Sequence, residues 1–586
     1  MKIDYSKDLL LTEFSHKTLE DRYLVGDEVS PQQAFARAAK AFADDDDHAQ
    51  RLYDYASNLW FMFSTPVLSN GGTERGMPIS CFLNYVEDSR EGITDHYTEN
   101  AYLSSFGGGI GGSWSAVRSQ GTKTSKGSES TGAIPFMKVV DAEMLAFSQG
   151  VTRRGSYAGY LHITHPEIEE FLDIRKATGG DINRKCTNLH HGIVINDKFM
   201  EVIHRATKEE NFDDSWELID PHTQQVKKVV SARTLWVKLL QNRMETGEPY
   251  LMFEDAVNQD LPEFQKKKGL YVNHSNLCSE ITLATNEERT AVCCLSSVNL
   301  EYYDLWSKIP AFIPDLVRML DNVLQHFIDN APEQMEKAKY SAMRERSIGL
   351  GAMGYHAYLQ KNQIPFESIG ASAANYKMFK HIKEDALQET RRLAVERGAC
   401  PDDDSCEVRN AHLLAIAPNA SSSIICGNTS PSIEPFRANA YTQKTKSGSH
   451  LQKNKYLEAL LETKDANTEA VWRDIVSNKG SVQHLEILSE DEKDIFKTAV
   501  EINQSWVVEH AAQRQEFVCQ SQSVNLFFPP DVTKGDLHNV HMLAWAKNLK
   551  TLYYLRSEAI SRADNVSNQV KREVIFEQED CLACEG

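Results

Sequence analysis

Apolar residues recur at helical spacing in two long stretches of the chain. Between Pro31 and Phe63 they return every three or four positions, and the acidic run ADDDDH at residues 43–48 interrupts them. Residues 234–247, TLWVKLLQNRMETG, repeat the pattern and end at Gly247, a residue typical of helix C-caps. We therefore predict helices in both stretches. The acidic run is either a solvated helix end or a cation site, and its position favours the helix end.

Short apolar runs lie between the helical stretches. They are HGIVIN at residues 191–196, LSSVNL at 295–300 and SSSIICGN at 421–428. Each has the length of a buried strand, and strands that alternate with helices are typical of α/β folds with parallel sheets. We find no convincing internal repeat or low-complexity linker, so one large domain is the simplest division. The last residues, FEQEDCLACEG at 576–586, are acidic and poor in apolar partners, which predicts a mobile tail.

The charge balance and the cysteine content narrow the classes of function. The 586 residues carry a formal net charge of −20 and no long basic run, which argues against a nucleic-acid-binding protein. No apolar run reaches the roughly 20 residues that span a bilayer, and the N-terminus lacks the apolar core of a signal peptide. We therefore expect a cytoplasmic protein that binds no membrane. Its 11 cysteines fit a reducing compartment, where a disulfide is more often catalytic than structural.

The stretch SNLCSEI at residues 275–281 places three reactive side chains at alternate positions. In an extended segment Asn276, Cys278 and Glu280 would face the same way, and a buried amide and carboxylate are costly without partners. A single buried cysteine is more often a small packed side chain than a catalyst. Further cysteines stand in short motifs elsewhere: Cys81 in PISCFLNYVEDS, Cys293 and Cys294 in CCLSSVNL, and Cys581 and Cys584 in CLAC. Together they favour a catalytic role for Cys278.

These motifs, with PNASSSII at residues 418–425 and KTLYYLR at 550–556, resemble the large catalytic subunit of class I ribonucleotide reductases. They occur in the order typical of that family and extend from about Thr65 to the C-terminus. The resemblance implies a ten-stranded α/β barrel of two five-stranded parallel halves, with SNLCSEI as a central finger loop. It divides the chain into a helical region at residues 1–64, a barrel at 65–570 and a redox-active tail at 571–586. Because only 64 residues precede Thr65, we expect a compact form that lacks the N-terminal ATP-cone.

The resemblance assigns a radical reaction to the finger loop. It implies that Cys278 becomes a transient thiyl radical and takes the 3′-hydrogen of a ribonucleotide, expected to be a diphosphate. Glu280 would act as the base on the 3′-hydroxyl, and Asn276 would hold the sugar by a hydrogen bond. The product would be a 2′-deoxyribonucleotide for DNA synthesis.

The resemblance gives the other cysteines separate roles. Cys81 and Cys293 match the pair that protonates the departing 2′-hydroxyl, supplies electrons and ends as a disulfide. Cys294 alternates to the opposite side of a strand, so we favour Cys293 as the working thiol and a packed core thiol for Cys294. In the tail, Cys581 and Cys584 resemble a shuttle that passes electrons from thioredoxin or glutaredoxin. CLAC is also half of a zinc motif, but no second CxxC follows, and we expect no metal on this chain.

Tyr553 and Tyr554 bear on how the radical arises. Adjacent tyrosines in an apolar segment are often only strand packing. Within KTLYYLR they resemble a relay from a separate, ferritin-like small subunit that generates the radical. The resemblance thus implies that the radical cofactor, a metal or another group, is held by that partner and not by this chain.

The resemblance also implies nucleotide sites and a homodimer. The substrate would contact residues near Cys81 and the phosphate-binding loop: Thr65, Ser80, Gly109, Pro418, Asn419, Ala420, Ser421 and Ser422. A nucleoside triphosphate effector would bind at the dimer interface through Asp88 and Arg118. In SQGVTRRGSYAG at residues 148–159, Arg153 aligns best with the base-contacting arginine, and Arg154 is the alternate.

Two other functions remain open from the sequence. An adenosylcobalamin-dependent class II reductase would use the same thiols without the tyrosine relay. A non-catalytic nucleotide-binding regulatory protein on the same scaffold should have lost at least one of Cys81, Cys278, Cys293 or Glu280, and all four are present. The glycyl-radical class is disfavoured because no glycyl-radical motif occurs near the C-terminus.

Overall fold

The computed structural model of the protein describes residues 1–149, 153–445 and 448–557. The predicted tail, with Cys581 and Cys584, lies outside these residues. Within them, no helix is both long and apolar enough to cross a membrane.

The described residues alternate between helices and short strands. The α-helices are α1 (Glu13–Arg22), α2 (Pro31–Phe42), α3 (Asp46–Ser57), α4 (Thr65–Asn70), α5 (Arg90–Ser105), α6 (Ile134–Ala146), α7 (Ile168–Phe171), α8 (Asp197–Lys208), α9 (Ala232–Thr246), α10 (Glu254–Gln259), α11 (Glu263–Lys267), α12 (Tyr303–Trp306), α13 (Phe312–Asn330), α14 (Glu336–Glu345), α15 (Tyr355–Lys361), α16 (Ile369–Arg397), α17 (Ala420–Ile425), α18 (Lys455–Thr463), α19 (Glu469–Ser477), α20 (Glu490–Ile495), α21 (Gln504–Gln515) and α22 (Lys534–Ala546). Short 3₁₀ helices occupy Tyr5–Leu10, Ile182–Arg184, Leu300–Tyr302 and Glu333–Met335. The strands are β1 (Phe61–Phe63), β2 (Cys81–Tyr85), β3 (Gly109–Ser113), β4 (Ser148–Gln149), β5 (Arg153–Arg154), β6 (Ser156–His162), β7 (His190–Ile195), β8 (Ser215–Ile219), β9 (Val226–Ser231), β10 (Tyr250–Phe253), β11 (Ala291–Cys293), β12 (Leu295–Asn299), β13 (Gly349–Met353), β14 (Ala440–Thr445), β15 (Gly448–Lys453), β16 (Leu526–Phe528), β17 (Thr551–Leu552) and β18 (Leu555–Ser557).

The largest sheet contains five neighbouring parallel strands. Its order is β11-β2-β3-β6-β7-β10-β17, and the strands from β2 to β10 run parallel. The two outer strands, β11 and β17, are antiparallel to their neighbours. Helices connect the successive parallel strands, because a parallel pair needs a long crossover between its strands. The five parallel strands of this sheet correspond to one of the two five-stranded parallel halves predicted for the barrel.

A second group of parallel strands lies beside it. β12 and β13 pair in parallel, and β1 adds an antiparallel edge to β12. Parallel bridges from Leu350 to Leu414 and from Ile416 to Gln522 extend this group across the core. β16 and β18 form a further parallel pair. The predicted α/β architecture with parallel strands is confirmed.

The stretch between Pro31 and Phe63 forms two helices, as predicted, and then ends in a strand. α2 and α3 are separated at the acidic run, where the Asp45 carboxylate accepts the His48 backbone N–H at 2.7 Å and caps α3. The acidic run is thus a helix N-terminus, as favoured. The end of the stretch forms β1 and pairs with β12, so the chain joins the barrel strands just before the proposed boundary at residue 64, which stays a prediction.

The strand predicted at residues 421–428 is wrong. This run forms α17, because Asn419 adopts a left-handed backbone conformation with φ of 54° and the Ser423 N–H donates to the Asn419 carbonyl at 3.0 Å. A short apolar run does not by itself distinguish a strand from a buried helix.

The other two runs form β7 and β12 as predicted. The predicted helix over residues 234–247 is α9, and Gly247 ends it at φ of 82°.

A glycine in β3 lets the finger loop enter the interior. A Cβ atom on Gly111 would lie 2.2 Å from the Ser275 carbonyl oxygen, far inside van der Waals contact. Any other residue at this position would therefore push the loop away from the sheet. Residues 274–280 are consequently buried against the strands that carry the candidate site.

Candidate active site

Two cysteines meet at the antiparallel edge of the large sheet. Cys81 begins β2 and Cys293 ends β11, and the two residues are direct partners in the register. Direct partners on antiparallel strands have Cα atoms about 4.5–5.5 Å apart, a separation that a disulfide can bridge. Both thiols are buried and unbridged. Strand pairing thus brings the predicted redox pair together.

Cys294 lies on the other side of the backbone from this pair. Its S–H donates to the Leu320 carbonyl of α13 at 3.3 Å, inside the helical layer. Burial raises the pKa of the Cys294 thiol. The geometry is that of the packed core thiol that we favoured for this residue.

The finger loop brings an amide and a carboxylate to Cys81. The Asn276 Nδ2–H donates to Cys81 Sγ at 3.3 Å, and the Cys81 S–H donates to Glu280 Oε1 at 3.7 Å. The expectation of an extended segment is wrong, because the chain turns through Leu277–Ser279 and Ser279 has φ of 67°. Asn276 and Glu280 therefore share the site through a tight turn and not through strand alternation.

Burial dominates the protonation of Glu280. It raises the pKa of this carboxyl to about 7, and hydrogen bonds from Asn276, Ser523 and Cys81 offset part of the rise. Burial also holds the pKa of the Cys293 thiol well above its usual value. A carboxyl with a pKa near 7 exchanges protons readily at neutral pH, so Glu280 is suited to act as a base.

The polar run QSQS at residues 520–523 supports the site and was not predicted. The Gln520 amide donates to the Ile348 carbonyl at 2.9 Å and reaches Cys293 Sγ at 3.7 Å. The Ser523 hydroxyl lies 2.5 Å from the Cys278 carbonyl oxygen and 3.2 Å from Glu280 Oε2. A polar run directly before the apolar run VNLFF was the signal in the sequence that could have indicated such buried contacts.

Cys278 packs at the end of a cluster of aromatic rings. It shares a buried cluster with Tyr553 and Tyr554, whose ring centroids are 4.3 Å apart. Tyr250, which sequence reasoning missed, lies 4.7 Å from Tyr553 and 5.0 Å from Tyr554. The two predicted relay tyrosines also line a cavity of about 190 Å³. The two tyrosines thus belong both to the lining of this cavity and to the cluster that contains Cys278.

Two of the predicted substrate residues, Ser80 and Gly109, adjoin Cys81. Gly109 pairs with Cys81 across β2 and β3, and its N–H donates to the Ser80 carbonyl at 2.9 Å. The Ser80 hydroxyl is buried and has no hydrogen-bond partner within the described part of the chain. Thr65 begins α4, and its hydroxyl lies 3.0 Å from the Tyr23 hydroxyl. Ser80 therefore offers a hydroxyl next to the thiol pair.

The predicted phosphate loop opens α17 beside the same cavity. It comprises Pro418, Asn419, Ala420, Ser421 and Ser422. Pro418 and Ala420 line the cavity with the two tyrosines. The Asn419 amide donates to the carbonyls of Ala352 and Ala417, at 3.1 and 3.0 Å. Because this amide is used within the fold, Asn419 shapes the loop that begins α17. Ser421 and Ser422 are buried and do not line the cavity.

The predicted effector residues form an ion pair at the far ends of β2 and β3. Arg118 Nε donates to Asp88 Oδ2 at 2.9 Å, and His222 Nδ1 lies 3.0 Å from the same oxygen. Asp88 follows β2 and Arg118 follows β3, whereas Cys81 begins β2 at the opposite end. Arg153 lies in β5, which pairs with β4, and its side chain is outside the described part of the structure.

A metal centre is not formed by the described residues. They contain no group of three or more histidines, cysteines, aspartates or glutamates arranged to hold an ion. The described residues of the site supply thiols, a carboxyl, an amide and tyrosine rings.

Two family models match most of the chain. The model for the ribonucleotide reductase barrel domain matches residues 79–405 and 404–555, and the model for the ribonucleotide reductase all-alpha domain matches residues 9–76. Together they cover the N-terminal helices, both groups of parallel strands and the candidate site.

Named relatives extend the comparison over the whole chain. The ribonucleoside-diphosphate reductase large subunit of Invertebrate iridescent virus 3 is 44% identical, with 100% of both chains covered. The ribonucleoside-diphosphate reductase large chain of Cryptosporidium parvum is 31% identical over 96% of this chain and 77% of its own length. Among solved structures, the Actinobacillus ureae class Id ribonucleotide reductase alpha subunit is 34% identical, with a TM-score of 0.83 over 96% of this chain and 100% of that one.

Proposed function

Because this chain belongs to the ribonucleotide reductase family, we propose that the groups around Cys81 reduce a ribonucleotide to its 2′-deoxyribonucleotide. The chain is the large, catalytic subunit of such an oxidoreductase, on the barrel fold that the resemblance implied. The observation that carries the proposal is the register of Cys81 and Cys293, with Asn276 and Glu280 both in contact with Cys81. The relatives are named for ribonucleoside diphosphates, which supports a diphosphate substrate here.

The reaction begins at Cys278 in this proposal. Its thiyl radical takes the 3′-hydrogen, so that an S–H bond forms, the C3′–H bond breaks and the unpaired electron moves to C3′. Glu280 takes the proton of the 3′-hydroxyl, and the pKa of about 7 matches that transfer at neutral pH. Asn276 holds the sugar, and the buried turn keeps water away from the radical.

Reduction at C2′ then uses the cysteine pair. The C2′–O bond breaks and the hydroxyl leaves as water with a proton from Cys81, the thiol that contacts Glu280. The Cys293 thiol then gives its hydrogen atom to C2′, so that a C2′–H bond forms. The second electron of the thiol pair and the proton held by Glu280 restore the 3′-hydroxyl and the C3′ radical, and the two sulfurs form a disulfide. The hydrogen on Cys278 returns to C3′, which restores the thiyl radical. One substrate and one dithiol thus give one product, one disulfide and one water.

The remaining parts of the proposal concern partners. A ferritin-like small subunit would generate the radical, which would reach Cys278 through Tyr554 and Tyr553. Cys581 and Cys584 would reduce the disulfide with electrons from thioredoxin or glutaredoxin. A nucleoside triphosphate would bind near Asp88 in a homodimer in the cytoplasm.

Substitution of single thiols tests the proposal with a control from the same strand pair. With the small subunit present, Cys81→Ser and Cys293→Ser should reduce deoxynucleotide formation to background while nucleotide binding persists. Cys294→Ser, which alters the neighbouring thiol on the other face, should retain turnover. Full turnover in Cys81→Ser would contradict the proposal. Turnover of the wild type with adenosylcobalamin alone would favour the class II alternative, and binding without turnover under all conditions would favour a regulatory protein.

A further inference from the structure

The Ser523 hydroxyl faces two acceptors that belong to the proposed chemistry. It lies 2.5 Å from the backbone carbonyl oxygen of Cys278 and 3.2 Å from Glu280 Oε2. A serine hydroxyl carries one proton, so it can donate to only one of these oxygens at a time. Ser523 is buried, and water does not compete readily for this proton.

The finger loop depends on contacts of this kind. Ser279 has φ of 67°, in the left-handed region that a serine adopts only when its surroundings hold it there. The Thr551 hydroxyl donates to the Ser279 carbonyl at 2.8 Å, and the Ser521 N–H donates to the Glu280 carbonyl at 2.9 Å. Together with Ser523 they bind the three successive carbonyls of residues 278–280. Of these three donors, only the Ser523 hydroxyl also reaches the side chain of the proposed base.

We infer that Ser523 is a positioning residue whose single proton is shared between the Glu280 carboxylate and the backbone of Cys278. When Glu280 is ionised, the hydroxyl donates to Oε2 and stabilises the negative charge. When Glu280 has taken the proton of the substrate, the charge is gone and the hydroxyl donates to the Cys278 carbonyl. The protonation state of the base is thereby coupled to the anchoring of the radical residue. This inference rests on the proposed function.

The groups around Glu280 give the hydrogen bond from Ser523 a large influence on the protonation of this carboxyl. Within the described part of the chain, the titratable groups that face it include the Cys81 thiol from β2, the Cys293 thiol from β11 and the Tyr160 phenol from β6. Burial raises the pKa of both Cys293 and Tyr160, so these two groups stay neutral around pH 7. Neutral hydrogen-bond donors are therefore the groups that favour the ionised form of Glu280, and Ser523 is one of them.

The test is the pH dependence of turnover in Ser523→Ala. Loss of the hydroxyl should raise the pKa of Glu280 and move the acid limb of kcat/KM upward by about 0.5 to 1 pH unit. Ser523→Thr keeps the hydroxyl, and its acid limb of kcat/KM should lie at the wild-type pH. Ser521→Ala is the matched control, because its hydroxyl meets Thr551 and its retained backbone N–H binds the Glu280 carbonyl. That control should leave the position of the limb unchanged even if the rate falls.

Two outcomes would overturn the inference. One is an acid limb in Ser523→Ala that coincides with that of the wild type. The other is an equal shift in Ser521→Ala, which would mean that any loosening of the segment has the same effect. Glu280→Gln separates this inference from the proposed function: if that variant is inactive and Ser523→Ala is unshifted, only the role of Ser523 fails. If Glu280→Gln turns over with a wild-type profile, the proposed base itself fails.

Discussion

Cys81 and Cys293 are direct partners across two antiparallel strands, although they lie 212 positions apart in the chain. Their strands belong to a sheet that contains five neighbouring parallel strands. Pairing within this sheet limits movement of the backbone near the two cysteines. The thiols can therefore approach or bond without rearrangement of the fold.

We predict that mild oxidation links Cys81 to Cys293 and not to the neighbouring Cys294. A diamide-treated sample digested without reductant should contain a peptide that links Cys81 to Cys293, because strand pairing holds them in register. Cys294 should remain alkylatable after unfolding, since its sulfur faces α13. Mass spectrometry would measure both. A Cys81–Cys294 link as the main product would show that the register does not decide the pairing.

Glu280 should reduce stability at alkaline pH. Its folded-state pKa is raised from 4.5 to about 7, so the folded protein binds this proton more tightly than the unfolded chain does. The associated stability is complete below pH 4.5 and is lost as the pH rises through 7. Glu280→Gln, which cannot ionise, should therefore melt at a higher temperature than the wild type at pH 8, and the difference should shrink toward pH 5. Equal melting temperatures at pH 8 would argue against the shift.

The same substitution should be costly for catalysis. Without a base for the 3′-hydroxyl proton, Glu280→Gln should lose about 10²- to 10⁴-fold in turnover. Wild-type kcat/KM should fall below about pH 7 as Glu280 becomes protonated. Steady-state assays from pH 6 to 8 with the small subunit would detect both effects, and a wild-type profile that is flat in this range would exclude Glu280 as the base.

The three tyrosines of the aromatic cluster should differ in function. Tyr553→Phe and Tyr554→Phe keep the rings but remove the phenolic hydrogen that a radical relay needs, so turnover supported by the small subunit should fall to background. Tyr250→Phe keeps the ring that packs 4.7 Å from Tyr553 and should stay active. Thermal melts would control for folding. If Tyr250→Phe is as inactive as the other two, Tyr250 belongs to the relay.

Gly111 should be intolerant of any side chain. Gly111→Ala places a methyl group 2.2 Å from the Ser275 carbonyl and should cost about 1–3 kcal/mol in the free energy of unfolding, with loss of activity as the finger loop shifts. Gly535→Ala is the control, because the nearest atom to its Cβ is 3.6 Å away and it lies in α22. Chemical denaturation would compare the two. A Gly111→Ala protein as stable and active as the control would mean that the loop can move freely.

The sequence allowed the architecture and most of the site to be predicted, but for different reasons. Helical periodicity located α2, α3 and α9, and short apolar runs located β7 and β12. Both signals are local, because each of these elements buries apolar residues of its own segment. The site residues came from the order of the motifs, which the family resemblance supplied. Neither source could provide the turn at Ser279, because its left-handed backbone is imposed by contacts from residues 521 and 551.

Long-range contacts explain why the roles of Ser523 and Tyr250 were not predicted from the sequence. Ser523 meets Glu280 across 243 positions of sequence, and neither residue has a local pattern that indicates the other. The sequence around Tyr250 indicates only an ordinary strand residue. Its position next to Tyr553 depends on the pairing of β10 with β17, the strand that directly precedes Tyr553. The strand predicted at 421–428 failed for a related reason, because Asn419 is held in its conformation by β12 and β13.

Asp88 follows the strand that Cys81 begins, and this placement has a mechanical consequence. β2 carries the proposed chemistry at its first residue and leads to the proposed effector pair just beyond its last, and β3 runs parallel beside it along its whole length. β2 pairs with β11 over Cys81–Leu83 and with β3 over Cys81–Tyr85, and a strand that is hydrogen-bonded to its neighbours resists stretching. Movement of the segment that carries Asp88 would therefore be passed along β2 toward Cys81, the first residue of the strand.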